Sequence, residues 1–168
     1  LTHPLVTQLR FTRSEFARCL AGVTAADAAC RIPPMNCLSW IVGHLASQED
    51  AFWNLWACGK ALRPDLFALV GYGSPPSTPP FDEMWLAWRE ITAAADTYLD
   101  TLTIEILQRR FHGENLPIDE TIGTLLQRNI YHYWYHTGEA AAIRQALGHT
   151  GLPAFVGDLG RRASYQPE

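Results

Sequence analysis

Four long stretches of this sequence set apolar side chains three and four residues apart, and no stretch of useful length alternates apolar with polar residues. A period near 3.6 lines up one face of an α-helix, whereas a strand needs a period of two. The first stripe reads Leu5, Leu9, Thr12, Phe16 and Leu20 and stops near Gly22. A short turn over 24–29 precedes the Pro33–Pro34 break. The second helix is expected from Asn36, a good N-cap, to about Ala57, with Cys37, Ile41, His44, Gln48, Ala51 or Phe52, and Leu55 facing inward. The third carries Phe81, Trp85, Trp88, Thr92, Ala95, Leu99 and Leu102, and a short piece follows over 103–111, ending near Gly113. The fourth starts around Asp119 or Glu120 after Pro117 and runs to Leu147, where Gly148 stops it.

Four such helices in 168 residues predict an all-α chain built as a four-helix bundle, a single domain over residues 1–168. The Pro- and Gly-rich segment from Gly59 to Pro80 has no sustained period and is too long for a tight antiparallel turn. It is expected to be a long crossover between the second and third helices, a lid, or both. Phe155 and Val156 are expected to pack the irregular tail onto the bundle.

A formal net charge of −4 argues against nucleic acid as a partner, because phosphates call for a basic surface. No apolar run approaches the ~20 residues that span a bilayer, so no membrane is expected, and no leader pattern is visible. Cys19, Cys30, Cys37 and Cys58 form no CxxC pair; they read as reduced, small apolar residues of a cytoplasmic protein. Cys37, near a helix start, is the one weighed as a nucleophile.

Against this background the hexapeptide YHYWYH, residues 131–136, stands out. On a helix His132 and His136 lie about 40° apart, on the same stripe as Leu125, Asn129, Glu139, Ile143 and Leu147. His44 holds an equivalent central place on the second helix. If the two helices face each other, three imidazoles converge inside the bundle, each needing partners for its ring nitrogens. A divalent metal meets that need, and three protein ligands leave positions open. No Glu follows the first histidine, so this is not an HExxH metalloprotease helix. The plain alternative is a set of hydrogen-bonded core histidines. His3, His112 and His149 are expected to be solvated.

The segments NCLSWIVGHLASQEDAFW (36–53) and YHYWYHTGEAAAIRQALGH (131–149) resemble those of the DinB/YfiT-like proteins, a superfamily of four-helix bundles. The family pattern has one histidine in the second helix and HxxxHxGQ in the fourth. Position by position it falls on His44, His132, His136 and Gly138, with Glu139 where the family often has Gln. The resemblance implies a three-histidine divalent-metal site, a crossover consistent with residues 59–80, and frequent homodimers. Its characterised relatives include transferases and isomerases that use low-molecular-weight thiols such as bacillithiol or mycothiol.

A metal with open positions makes a bound water or thiol more acidic, or polarises a carbonyl. Three imidazoles suit zinc, nickel, iron and copper alike. Glu139 is a candidate fourth ligand, partner of a ligand, or general base, and otherwise an edge carboxylate paired with Arg144. Gln48 is a candidate for orienting a ligand or small-molecule substrate. Trp40, Trp53, Trp56, Trp85 and Trp88 are candidates to line an apolar pocket over the metal, and Arg144 to bind an anionic group or to lie at the surface. The leading expectation is a metal-dependent S-transferase using a low-molecular-weight thiol. Its rivals are a non-catalytic metal- or ligand-binding bundle, a metal-dependent hydrolase, and a structural dimer with core histidines.

Overall fold

The computed structural model describes residues 2–112, 116, 118–154 and 156–166. The expected stop at Gly113, the break at Pro117 and the tail contact of Phe155 lie outside the described residues. Among the described residues there are helices and no strands. They are α1 (Pro4–Cys19), α2 (Ala25–Ala29), α3 (Leu38–Glu49), α4 (Asp65–Val70), α5 (Phe81–Leu99), α6 (Ile104–Leu107), α7 (Ile122–Ala146) and α8 (Leu159–Arg162). A π-helical segment, Asp50–Trp56, continues α3 without a break.

Local chemistry explains most of the starts. Proline in the first turn suits α1, since its ring fixes φ and a free N–H is not needed there. His3 caps that helix by accepting the Leu5 N–H through Nδ1 at 3.2 Å, and it is buried rather than solvated. Thr24 and Asp27 cap each other reciprocally at α2, the short turn expected over 24–29. Thr121 accepts the Thr124 N–H at 3.2 Å and caps α7, which starts two to three residues after the expected position. Asn36 is not the cap of α3. Cys37 takes that place with an extended backbone, its thiol buried against the Ser39 hydroxyl and the Ser77 carbonyl.

The π-helical segment overturns one expectation about the inner face. Bonds from i to i+5 widen the turn and rotate every side chain beyond it. Trp53 and Asn54 therefore enter the core, and Leu55, expected to face inward, is 44% exposed. Asp50, at the start of the segment, accepts the backbone N–H groups of Leu62 and Arg63 at 3.0 and 2.8 Å, which ties down the chain beyond the helix. The stretch read as irregular contains α4, whose signals are Pro64 and Asp65 at its start and Gly71 after its end.

The main packing joins α3 to α5, α1 to α7, α3 to α7 and α4 to α3. Gly43 packs beside His44 against Met84 of α5 and Val70 of α4, and a Cβ there would sit 2.5 Å from Met84 Sδ, so the methionine side chain would have to shift. Along α3 and its continuation, His44, Gln48 and Trp53 meet His132, His132 with Asn129, and Asn129 of α7 in turn, so the two helices run antiparallel. The tail lies on α1 through Gln8 to the Ala163 carbonyl, Arg18 to the Ala154 carbonyl and Arg162 to Ser14. Val156 is exposed and does not anchor it. No helix of the described residues is long and apolar enough to cross a membrane.

Candidate metal centre

The antiparallel pairing of α3 and α7 brings His44, His132 and His136 together. His132 Nε2 lies 3.1 Å from His44 Nε2 and 3.0 Å from His136 Nε2. One ring nitrogen from each residue falls within a span of 4.8 Å. Nitrogen ligands ~2.0–2.1 Å from one tetrahedral ion are about 3.3–3.4 Å apart, close to the two separations at His132.

The other ring nitrogens decide the protonation. His44 Nδ1 is 2.8 Å from the Val70 carbonyl, at the end of α4. His132 Nδ1 is 2.7 Å from Gln48 Oε1, and His136 Nδ1 is 2.7 Å from Glu139 Oε2. Each of those oxygens accepts, so each Nδ1 carries the proton and donates it. In the neutral rings all three Nε2 atoms are then bare lone pairs pointed at one another, a repulsive arrangement that a cation relieves. The chemistry of the donor set thus fits a divalent metal.

Burial keeps His44 and His132 neutral. It lowers the His44 pKa to about 4 and the His132 pKa to about 3, and for His132 the neighbouring imidazoles push the same way. Trp40 stacks on His44 with ring centroids 4.6 Å apart and an interplanar angle of 17°. The Tyr135 ring meets His136 edge-on at 5.0 Å.

The structure gives Gln48 and Glu139 definite places: each holds the far nitrogen of one histidine. Glu139 is not paired with Arg144. Arg144 is buried, donating from Nε to His149 Nδ1 at 3.0 Å and from Nη1 to the Cys19 carbonyl, so it is neither a surface residue nor near the cluster. His149 is partly buried in that contact rather than solvated, whereas His112 is exposed as expected. Cys37 is fully buried away from solvent and is no nucleophile; all four cysteines are free thiols, Cys19 and Cys37 buried and Cys30 and Cys58 exposed.

Of the five tryptophans expected around the metal, Trp40 is the one against a cluster ring. Trp85 and Trp88 stack on each other at 5.0 Å, and Trp88 donates to Tyr133 Oη at 2.6 Å. Trp53 donates to Asn129 Oδ1 at 2.8 Å. Trp56 borders a separate cavity of about 200 Å³ with Phe111, Ile118 and Leu125. Sequence reasoning missed the Val70 carbonyl, a backbone group with no residue signature. It also gave no role to Asn129, whose signal was an amide on an apolar stripe.

No curated protein matches the sequence. The family model of the DinB superfamily matches residues 8–140, a span that contains His44, His132, His136 and Glu139 and runs from α1 well into α7. With most of the chain covered and the three histidines gathered in one place, the protein belongs to the DinB superfamily.

Proposed function

We propose that this chain is a metal-dependent enzyme whose ligands are His44, His132 and His136, and that it transfers a low-molecular-weight thiol to an electrophilic small molecule. The observation that carries the metal reading is the set of three Nε2 lone pairs facing one another while every Nδ1 proton is committed to an acceptor. A bound divalent ion supplies positive charge that favours the thiolate form of a small thiol at neutral pH. The chain's own residues prepare the place. The Val70 carbonyl, Gln48 and Glu139 hold the rings in orientation, and Trp40 covers one face of His44.

Thiol transfer is preferred over hydrolysis because of Glu139. Its Oε2 already accepts the His136 proton, so a hydrolase would need the same carboxylate to serve as general base. A thiol acidified by the ion needs no side-chain base. The protein's own Cys37 is sealed from solvent, and the cluster of potential ligands contains histidines and no cysteine, which favours a thiol supplied by a small molecule.

We read the architecture, in the same sense, as a four-helix bundle of α1, α3, α5 and α7 in which the segment containing α4 crosses over. Support comes from Gly43 lying against Met84 while Asn54 reaches the Ile91 carbonyl, a parallel pairing of α3 and α5.

The test is metal content by inductively coupled plasma mass spectrometry on untagged protein, for wild type, His44→Ala and His136→Ala, with circular dichroism to confirm folding. Near-stoichiometric metal in wild type, lost in both folded variants, is expected. Thiol consumption with an electrophile, dependent on the reloaded metal, should follow. A wild type that cannot be loaded with zinc, nickel or iron refutes the reading.

A further inference from the structure

The three histidines differ in what fixes their protons. His44 faces a backbone carbonyl and His136 faces a carboxylate, and neither group can donate. His132 faces the side-chain amide of Gln48, which can offer either its oxygen or its nitrogen. The proton sits on its Nδ1 only because Gln48 turns its oxygen there, so whatever fixes the Gln48 amide also fixes the tautomer.

Gln48 Oε1 also accepts from Asn129 Nδ2 at 3.0 Å, and Asn129 Oδ1 accepts from Trp53 Nε1 at 2.8 Å. Trp53 and Asn129 are fully buried, so water does not compete for these groups. An indole N–H only donates. It requires oxygen from Asn129, which turns the Asn129 nitrogen to Gln48. That nitrogen requires oxygen from Gln48, and the same oxygen then takes the proton of His132 Nδ1. Gln48 and Trp53 are five residues apart, and Trp53 stands within the π-helical segment, where residue i+5 returns over residue i.

We propose that Trp53 is a positioning residue for the metal centre: its indole N–H, acting through Asn129 and Gln48, sets which ring nitrogen of His132 carries the proton. The proposal rests on the reading of His132 as a ligand, but the relay acts in the metal-free protein as well. Without the relay His132 would favour the opposite tautomer, since a proton on Nε2 could be shared with the His44 and His136 nitrogens 3.1 and 3.0 Å away. Ligation through Nε2 would then first require moving that proton.

The experiment uses 15N-labelled, metal-free protein, long-range 1H–15N NMR spectra of the imidazoles, and zinc titration. Wild type is expected to hold His132 with the proton on Nδ1. Trp53→Phe, which keeps the ring and removes the donor, should move the proton to Nε2 and weaken zinc binding about 10-fold or more, the scale at which groups supporting metal ligands act. Gln48→Glu added to Trp53→Phe should restore both, because a carboxylate only accepts and no longer needs the relay. A loss of packing would not be rescued in this way. Asn129→Leu severs the relay one link later and reads the same way if Trp53→Phe does not fold. A wild-type His132 protonated on Nε2, or a tautomer unchanged in the folded variants, overturns the proposal. If wild type binds no zinc, the metal reading fails while the tautomers still decide the relay.

Discussion

Two polar clusters sit side by side on α3 and α7, the second reaching α1 and α5 as well, and they are built on opposite plans. Gln48 and His132 turn toward the histidine cluster; the very next residues, Glu49 and Tyr133, turn into the core. There the Arg13 guanidinium pairs with both oxygens of Glu49 and donates to Asp96 Oδ1 at 2.7 Å. Tyr133 Oη donates to Glu49 Oε1 at 2.7 Å and accepts from Trp88. Each charged group in this knot has an opposite partner: Glu49 has Arg13, and Asp96 is shared between Arg13 and Arg10, whose Nε lies 3.3 Å from Asp96 Oδ1. In the histidine cluster every outward proton is satisfied and every inward lone pair is left without one. Burying a charge is tolerable when its partners are supplied, so the knot is complete as a structure. The histidine cluster is instead a set of donors that a cation would complete, and that contrast separates the part that holds the fold from the candidate metal site.

Arg13→Ala tests the contrast most severely. It leaves Glu49 buried without its cation and should cost about 3–5 kcal/mol of unfolding free energy, read from urea denaturation. A cost below about 1 kcal/mol would mean that the knot does not hold the fold.

Acid should strike the other cluster. His44 and His132 titrate at about 4 and about 3 when folded, against about 6.5 in an unfolded chain. The unfolded state binds more protons between those values, so the metal-free protein should keep a constant contribution from these groups above pH ~6.5 and lose it as the pH falls toward 4. The urea midpoint followed over that range checks the sign, and the double variant His44→Ala/His132→Ala should flatten the slope.

Glu139→Gln sharpens the comparison at the ligand shell. It removes the negative charge behind His136 and should weaken zinc binding by about 10- to 100-fold with little change in unfolding free energy. A variant with wild-type affinity would leave Glu139 as an edge carboxylate. Tyr133→Phe should have the smallest effect at the ligand shell: it loses the bond to Glu49 and strands the Trp88 N–H, costing about 1–3 kcal/mol of stability, with no change in zinc affinity although it adjoins His132. A loss of zinc binding in that variant would show the two clusters to be coupled.

Much of the site was legible because its residues interrupt a pattern. His44, His132 and His136 stand where a bundle helix carries Leu or Ile, and helical spacing alone placed two of them on one face. Gln48 and Glu139 followed from the same stripes, each about one turn from a histidine, although the ring Gln48 holds is His132 of the facing helix and not His44 of its own. The knot was not legible. Arg13, Glu49 and Asp96 look like ordinary polar positions until three helices are assembled around them. Leu55 was misjudged because nothing in its spacing marks the change from i+4 to i+5 bonding.

The sequence by itself determined the helices and the presence of polar rings on their inner faces, since both follow from periodicity within one segment. The meeting of His44 with the other two histidines, the Val70 carbonyl behind it and the relay from Trp53 were decided by the tertiary structure. Those features depend on which faces of separate helices are opposed and in what register, and the local pattern of one helix carries no information about the register of its neighbour.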